Sequence, residues 1–168
     1  MPVIDRSILV AAPVRQVFDY VAEPRNTMRY QKQFTSFDVA DNTPRGVGME
    51  VDARGRFHGI PVRTRLRMVG FVQDELIASQ SESGLKNSSQ WRFTPGAGGT
   101  RVRFTARYEW PLPILSRRLR TRIEEELASM TDDSMRTLKD LIEGSPVGSA
   151  VEAPASPAGP GLSGFPSL

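Results

Sequence analysis

The stretch MEVDARGRFHGIPVRTRLRM, residues 49–68, decides the fold. Apolar residues and arginines alternate along it on both sides of a central Gly-Ile-Pro. A period of two belongs to a β-strand, whose successive side chains leave on opposite faces. A four-residue connection at His58-Gly59-Ile60-Pro61 sets Phe57 opposite Val62, Ala53 opposite Leu66 and Val51 opposite Met68. Opposed residues of an antiparallel pair share a face. On the other face Arg56 then meets Arg63, Arg54 meets Arg65 and Asp52 meets Arg67. The hairpin is apolar on one side and strongly basic on the other.

A second hairpin repeats the division. With a loop over Thr94–Arg101, Phe93 faces Val102, Trp91 faces Phe104 and Ser89 faces Ala106. Tyr108 and Trp110 continue that face, and Arg92 meets Arg103 on the other. A slip of one residue would put tryptophan and arginine on the same side. Further strand-like runs cover Thr35–Ala40 and Leu76–Ser83, and the two hairpins extend over Met49–Phe57, Val62–Phe71, Ser88–Phe93 and Arg101–Trp110. Gly or Pro falls in most of the gaps, as turns require.

Helical periods flank this block. A first strand over Val3–Val10 leads to Pro13, which suits a first helical turn. Val14, Val17, Phe18 and Val21 then recur at helical spacing until Pro24. A short second helix is predicted over Asn26–Lys32, capped by Asn26. After Pro111-Leu112-Pro113, an apolar stripe runs through Leu115, Leu119, Ile123, Leu127, Met130, Ser134, Leu138 and Leu141, and Gly144 ends it. A one-faced antiparallel sheet needs a cover, and this helix, roughly 45 Å long, is the element that can supply it. The expected class is α+β: a curved antiparallel sheet of about seven strands wrapped around a long C-terminal helix, with two short helices after the first strand. Residues 1–143 read as one domain. Residues 144–168, rich in Gly, Ser, Pro and Ala with Glu152 the sole charge, read as a disordered tail.

The chain contains no cysteine and one histidine, His58, which excludes disulfides, thiolate nucleophiles and Cys- or His-cluster metal sites. No cofactor is expected. Asp5 and Arg6 interrupt any signal-like run, and no segment approaches the roughly 20 apolar residues of a membrane span, so a cytoplasmic protein is expected. The formal charge of +3 is mildly basic and does not in itself imply nucleic acid.

Three stretches carry a family resemblance: RSILVAAPVRQVFDYVAEPRN at residues 6–26, GGTRVRFTARYEWPLP at residues 98–113, and the helix that follows. With the order of elements above, they resemble the START-like, or SRPBCC, superfamily, the helix-grip fold. That group includes polyketide cyclase/dehydrase-like proteins, birch-pollen-allergen relatives and ubiquinone-binding START proteins. Arg15 stands where many relatives carry an acidic residue, and Tyr30 lies near the place of a common tryptophan. The resemblance implies a cavity between sheet and long helix that takes a small hydrophobic molecule such as a lipid, a quinone or a polyketide. Only some members are enzymes.

Apolarity alone does not separate a cavity wall from a packed core. The residues expected at a ligand are Met49, Val51, Phe57, Leu66, Met68, Trp91, Phe93, Phe104 and Tyr108 from the sheet, and Leu119, Ile123 and Leu127 from the helix. Tyr30, Thr64, Ser89, Trp91 and Tyr108 are the inward polar groups that could orient it. No catalytic residue is assigned. His58 sits at a turn, the acidic run Glu124-Glu125-Glu126 lies largely off the apolar stripe, and Gly96-Ala97-Gly98-Gly99 lacks the lysine and helix start of a phosphate-binding loop. A cyclase or dehydrase would need an inward ionisable group.

Arg54, Arg56, Arg63, Arg65, Arg67, Arg92 and Arg103 fall on the outer face. They read either as a solubilising surface, partly neutralised by Glu50, Asp52, Glu82 and Glu109, or as a surface for an anionic partner such as RNA or an anionic membrane.

Overall fold

A computed structural model describes residues 3–109 and 116–144. Strand β1 (Val3–Val10) leads into α1 (Val14–Ala22), a 3₁₀ turn at Pro24–Asn26 and the single-turn α2 (Thr27–Tyr30). Six strands follow: β2 (Phe34–Val39), β3 (Glu50–Phe57), β4 (Ile60–Val72), β5 (Leu76–Gly84), β6 (Lys86–Gly96) and β7 (Gly99–Glu109). Helix α3 (Arg117–Glu143) closes the domain. All seven strands form one antiparallel sheet in the order β1-β7-β6-β5-β4-β3-β2. The short helices carry the chain from one sheet edge to the other. The sheet curls into a half-barrel with α3 in its hollow, as the amphipathic stripe requires.

The β6–β7 register is the expected one: Trp91 opposes Phe104, Phe93 opposes Val102 and Arg92 opposes Arg103. Pairing nevertheless continues to Gly96 opposite Gly99, so the loop is tighter than Thr94–Arg101. The β3–β4 register differs from the sequence expectation by two residues. Phe57 opposes Ile60, Val51 opposes Leu66, Asp52 opposes Arg65 and Arg54 opposes Arg63. The cause is the turn. His58 and Gly59 both have positive φ, 50° and 75°, the geometry of a two-residue hairpin whose twist matches that of the strands. A shift of two keeps every side chain on its face. It removes one expected arginine–arginine pair and replaces it with Asp52 facing Arg65.

Three other local expectations change. Asn26 does not cap α2; its side chain donates to the Tyr20 carbonyl at 3.1 Å and ties down the end of α1. Gly144 is right-handed, φ −77°, rather than the left-handed residue that usually follows a helix. The buried positions of α3 are Ile123, Leu127, Thr131, Ser134, Met135, Leu138 and Ile142, so the stripe drifts by one residue from Met130 and Leu141. The expectations for Leu115 and Trp110, and for the tail beyond Gly144, lie outside the described residues.

The buried side chains form three clusters. The largest joins α1, the C-terminal half of α3 and β5–β7, with Phe18 edge-on to both Phe71 and Phe93 at centroid distances of 5.3 and 5.2 Å. A second packs Ile123 and Leu127 of α3 on Ile4, Phe57 and Leu85. The third, Met49, Val51, Ala53 and Leu66, lies on β3 and β4 beside Phe34 and Phe37 of β2. No α3 residue belongs to this third cluster.

Candidate functional site: a cavity between sheet and helix

The sheet does not close fully onto α3. A cavity of about 120 Å³ lies where the three clusters fail to merge, and residues from each of them form its wall. Pockets for drug-sized ligands start near roughly 300 Å³, so a guest of that size requires side chains to move. Met49, Met68 and Met135 are in the wall, and an unbranched thioether chain repacks more readily than a branched one.

Tyr30, Met49, Val51, Phe57, Thr64, Leu66, Met68, Ser89, Trp91, Phe104 and Tyr108 all line the cavity. Phe93, Leu119, Ile123 and Leu127 do not. Phe93 has the right face but sits under α1, filled in by Phe18. Leu119, Ile123 and Leu127 belong to the N-terminal half of α3, which packs solidly on β1 and Leu85. The helix instead presents Thr131, Ser134 and Met135. Two of these are hydroxyl residues, which an apolar stripe does not single out. They tolerate burial because each hydroxyl donates within the helix, Thr131 to the Leu127 carbonyl and Ser134 to the Met130 carbonyl, both at 2.8 Å. Asn87 and Ser79 are also in the wall. Both have the inward parity of Ser89, but Ser79 does not stand out as an apolar side chain would, and Asn87 falls just before the predicted strand Ser88–Phe93.

The polar groups of the wall are mostly satisfied. Ser79 and Ser89 share a hydrogen bond at 2.9 Å between their hydroxyls. The Thr64 hydroxyl donates to the Leu85 carbonyl at 3.1 Å. Asn87 Nδ2 donates to that same carbonyl at 2.9 Å and to Thr64 Oγ1 at 3.3 Å. The fully buried Tyr30 phenol bonds to the Thr27 side chain, and its pKa is raised far above the ordinary tyrosine value, chiefly by burial. Burial alone pushes Tyr108 up to about 12. Its ring keeps some accessible surface because one side faces the cavity.

His58 lies away from the cavity. Its Nδ1 is 2.8 Å from Glu126 Oε2 and its backbone N–H donates to Glu126 Oε1 at 3.1 Å, so it clips the β3–β4 turn onto α3. Among the described residues no group of His, Cys, Asp or Glu could hold a metal ion, and no helix is long and apolar enough to cross a membrane.

The outer arginines are exposed, yet several are neutralised. Arg65 holds Asp52 through two bonds of 3.0 and 2.9 Å. Arg67 reaches Glu50 at 2.6 Å and Glu82 at 2.9 Å, and Arg103 holds Asp5 at 2.8 Å. Arg54 and Arg63 directly face each other.

Comparison with known proteins agrees with this architecture. Residues 1–143 match the family described as polyketide cyclase/dehydrase and lipid transport. Among solved structures, TTHA0849 from Thermus thermophilus superposes with a TM-score of 0.74 at 20% identity, covering 85% of this chain and 98% of that one. A START superfamily protein from Mycobacterium smegmatis gives 0.70 at 11% identity, over 84% and 97%. The Zhui aromatase/cyclase from Streptomyces sp. R1128 gives 0.70 at 13% identity, over 84% and 93%. These likenesses establish a START-like fold. No curated protein matches the sequence at a significant level.

Proposed function

The chain belongs to the polyketide cyclase/dehydrase and lipid transport family, and on that premise we propose that it binds a small, neutral, apolar molecule in the cavity and carries or senses it rather than transforming it. The observation behind this reading is the chemistry of the wall. Among the described residues that line it there is no Asp, Glu, Lys, Arg or His. A charged guest would be buried without a counter-charge, which is strongly unfavourable. A lipid, quinone or polyketide-like molecule in its uncharged form meets no such penalty.

The same wall argues against an acid–base cyclase. Such chemistry calls for a group that titrates near the working pH. The two tyrosines are held protonated, Tyr108 with a pKa of about 12 and Tyr30 higher still. They can donate hydrogen bonds but cannot take up a substrate proton near neutrality. An anionic partner on the outer face is the weaker alternative, since Asp52, Glu50, Glu82 and Asp5 already engage three of the arginines there.

Native mass spectrometry of the full chain purified from cells tests the reading. A co-purified neutral molecule is expected. Ala53 is buried and lines the cavity, so Ala53→Phe should fill the space and abolish uptake of the neutral dye N-phenyl-1-naphthylamine. A dye that binds the variant as well as the wild type would refute the assigned site.

A further inference from the structure

We propose that Tyr108 and Asn87 together form a polar seat for a hydroxyl group on an otherwise apolar ligand. The inference rests on the binding reading above and specifies the chemistry of the guest. Tyr108 and Asn87 are directly opposed across β6 and β7, so their side chains share the concave face, and both line the cavity.

Their hydrogen-bonding capacities are complementary. Among the described residues the Tyr108 hydroxyl has no hydrogen-bond partner, and solvent exclusion is the one cause of its raised pKa. It is therefore a protonated donor facing the cavity. In Asn87 the amide nitrogen is committed to the Leu85 carbonyl and to Thr64 Oγ1. The Thr64 hydroxyl spends its own proton on the Leu85 carbonyl, so Oγ1 accepts there and the orientation of the amide is fixed. Asn87 Oδ1 is left as the open acceptor. A donor and an acceptor side by side suit a group that is both acceptor and donor, and an alcohol or phenol is the simplest one. A ketone could use Tyr108 but would leave Asn87 idle. A carboxylate would face the Asn87 oxygen with no cation in the wall. Of the other hydroxyls of the wall, Thr131 and Ser134 donate within their own helix, and Ser79 and Ser89 bond to each other, which commits one of their two protons.

Asn87 lines a second depression on the outer side, together with Ser81, Ser83, Lys86 and Arg107. Regular β5–β6 pairing stops at Gln80 opposite Ser88, and beyond it the Asn87 N–H donates to the Ser81 hydroxyl at 2.9 Å. The polar end of the ligand would lie between Tyr108 and Asn87, and its apolar body would extend toward Trp91 and Met68.

The test uses two shape-matched probes, 2-naphthol and 2-methylnaphthalene, titrated against the full wild-type chain and Tyr108→Phe. Removing one hydrogen bond should weaken 2-naphthol by about threefold to tenfold and leave 2-methylnaphthalene unchanged. The thermal midpoint of the variant should equal or exceed that of the wild type, because the deleted hydroxyl has no partner among the described residues. Equal affinities of both probes for both proteins would overturn the polar seat while leaving apolar binding intact. A marked loss of stability in Tyr108→Phe would also overturn it, by revealing a structural bond. Failure of 2-naphthol alone to bind the wild type would overturn the seat, and failure of both probes would overturn the binding reading and this inference with it.

Discussion

Asp52 illustrates how one side chain sets the tolerance of the basic face. It stands between Arg65 of β4 and Asp38 of β2, one same-face position from the Arg54–Arg63 pair. The hydrogen bonds from Arg65 hold its carboxyl below the ordinary aspartate value of 3.8, helped by the nearby charges of Arg63 and Arg54. A carboxyl whose folded pKa is lowered adds stability above its unfolded pKa and loses it as pH falls through the folded value. Asp52→Asn should therefore lower the thermal midpoint by a few degrees at pH 7 and low salt. The difference from wild type should shrink in high salt, where repulsion among the arginines is screened. It should vanish in acid well below pH 3.8, where the wild-type carboxyl is also neutral. Melting curves at two salt concentrations across pH 2–7 check all three expectations.

Two glycines show what turns contribute at the level of elements. Gly59 has φ +75° in the β3–β4 turn, and a Cβ there would meet nothing within 4 Å. Gly84 has φ +80°, and a Cβ there would lie 2.1 Å from the Arg63 carbonyl oxygen. Gly59→Ala should cost about 1 kcal/mol, the conformational penalty alone. Gly84→Ala must also push β4 and β5 apart, so it should cost more than twice as much. It should also disturb Leu85, which the adjoining N–H to the Arg63 carbonyl seats in the second cluster. Urea denaturation of the two variants separates the cases. The same turns mark what is legible in advance. Alternation of Trp91, Phe93 and Phe104 with arginines assigns both faces of the sheet, because face depends only on parity. Register depends on turn length, and Gly-Ile-Pro points to a loop two residues longer than the His58-Gly59 turn. Asn87 has the inward parity of Ser89 and Trp91, but a strand read as starting at Ser88 stops one residue short of it.

Across the whole molecule, α3 is fastened along its flanks by polar contacts, while Thr131, Ser134 and Met135 on its inner side face the cavity. Glu126 holds the His58 turn, and Asp132 takes Arg6 of β1 at 2.6 Å. Glu143 accepts from the Ala11 N–H at 2.8 Å, and Lys139 reaches the Leu9 carbonyl at 2.7 Å. Apolar spacing locates the helix but cannot separate the part that packs from the part that faces space, since both are buried. Met135 and Leu138 make that distinction measurable. They lie one turn apart and are equally inaccessible, 3% and 0% exposed. Leu138 is surrounded by the main cluster, whereas Met135 has that cluster on one side and the cavity on the other. Truncating Leu138 leaves a new void among packed neighbours, so Leu138→Ala should cost about 4 kcal/mol. Truncating Met135 removes contacts on one side only and enlarges a space that already exists. Met135→Ala should cost about 2 kcal/mol and should bind N-phenyl-1-naphthylamine more tightly than the wild type does, because less side-chain rearrangement is needed to admit it. Equal losses of stability, with no gain in dye affinity for Met135→Ala, would mean that α3 is gripped uniformly and that the space beneath it is too small to accept a guest.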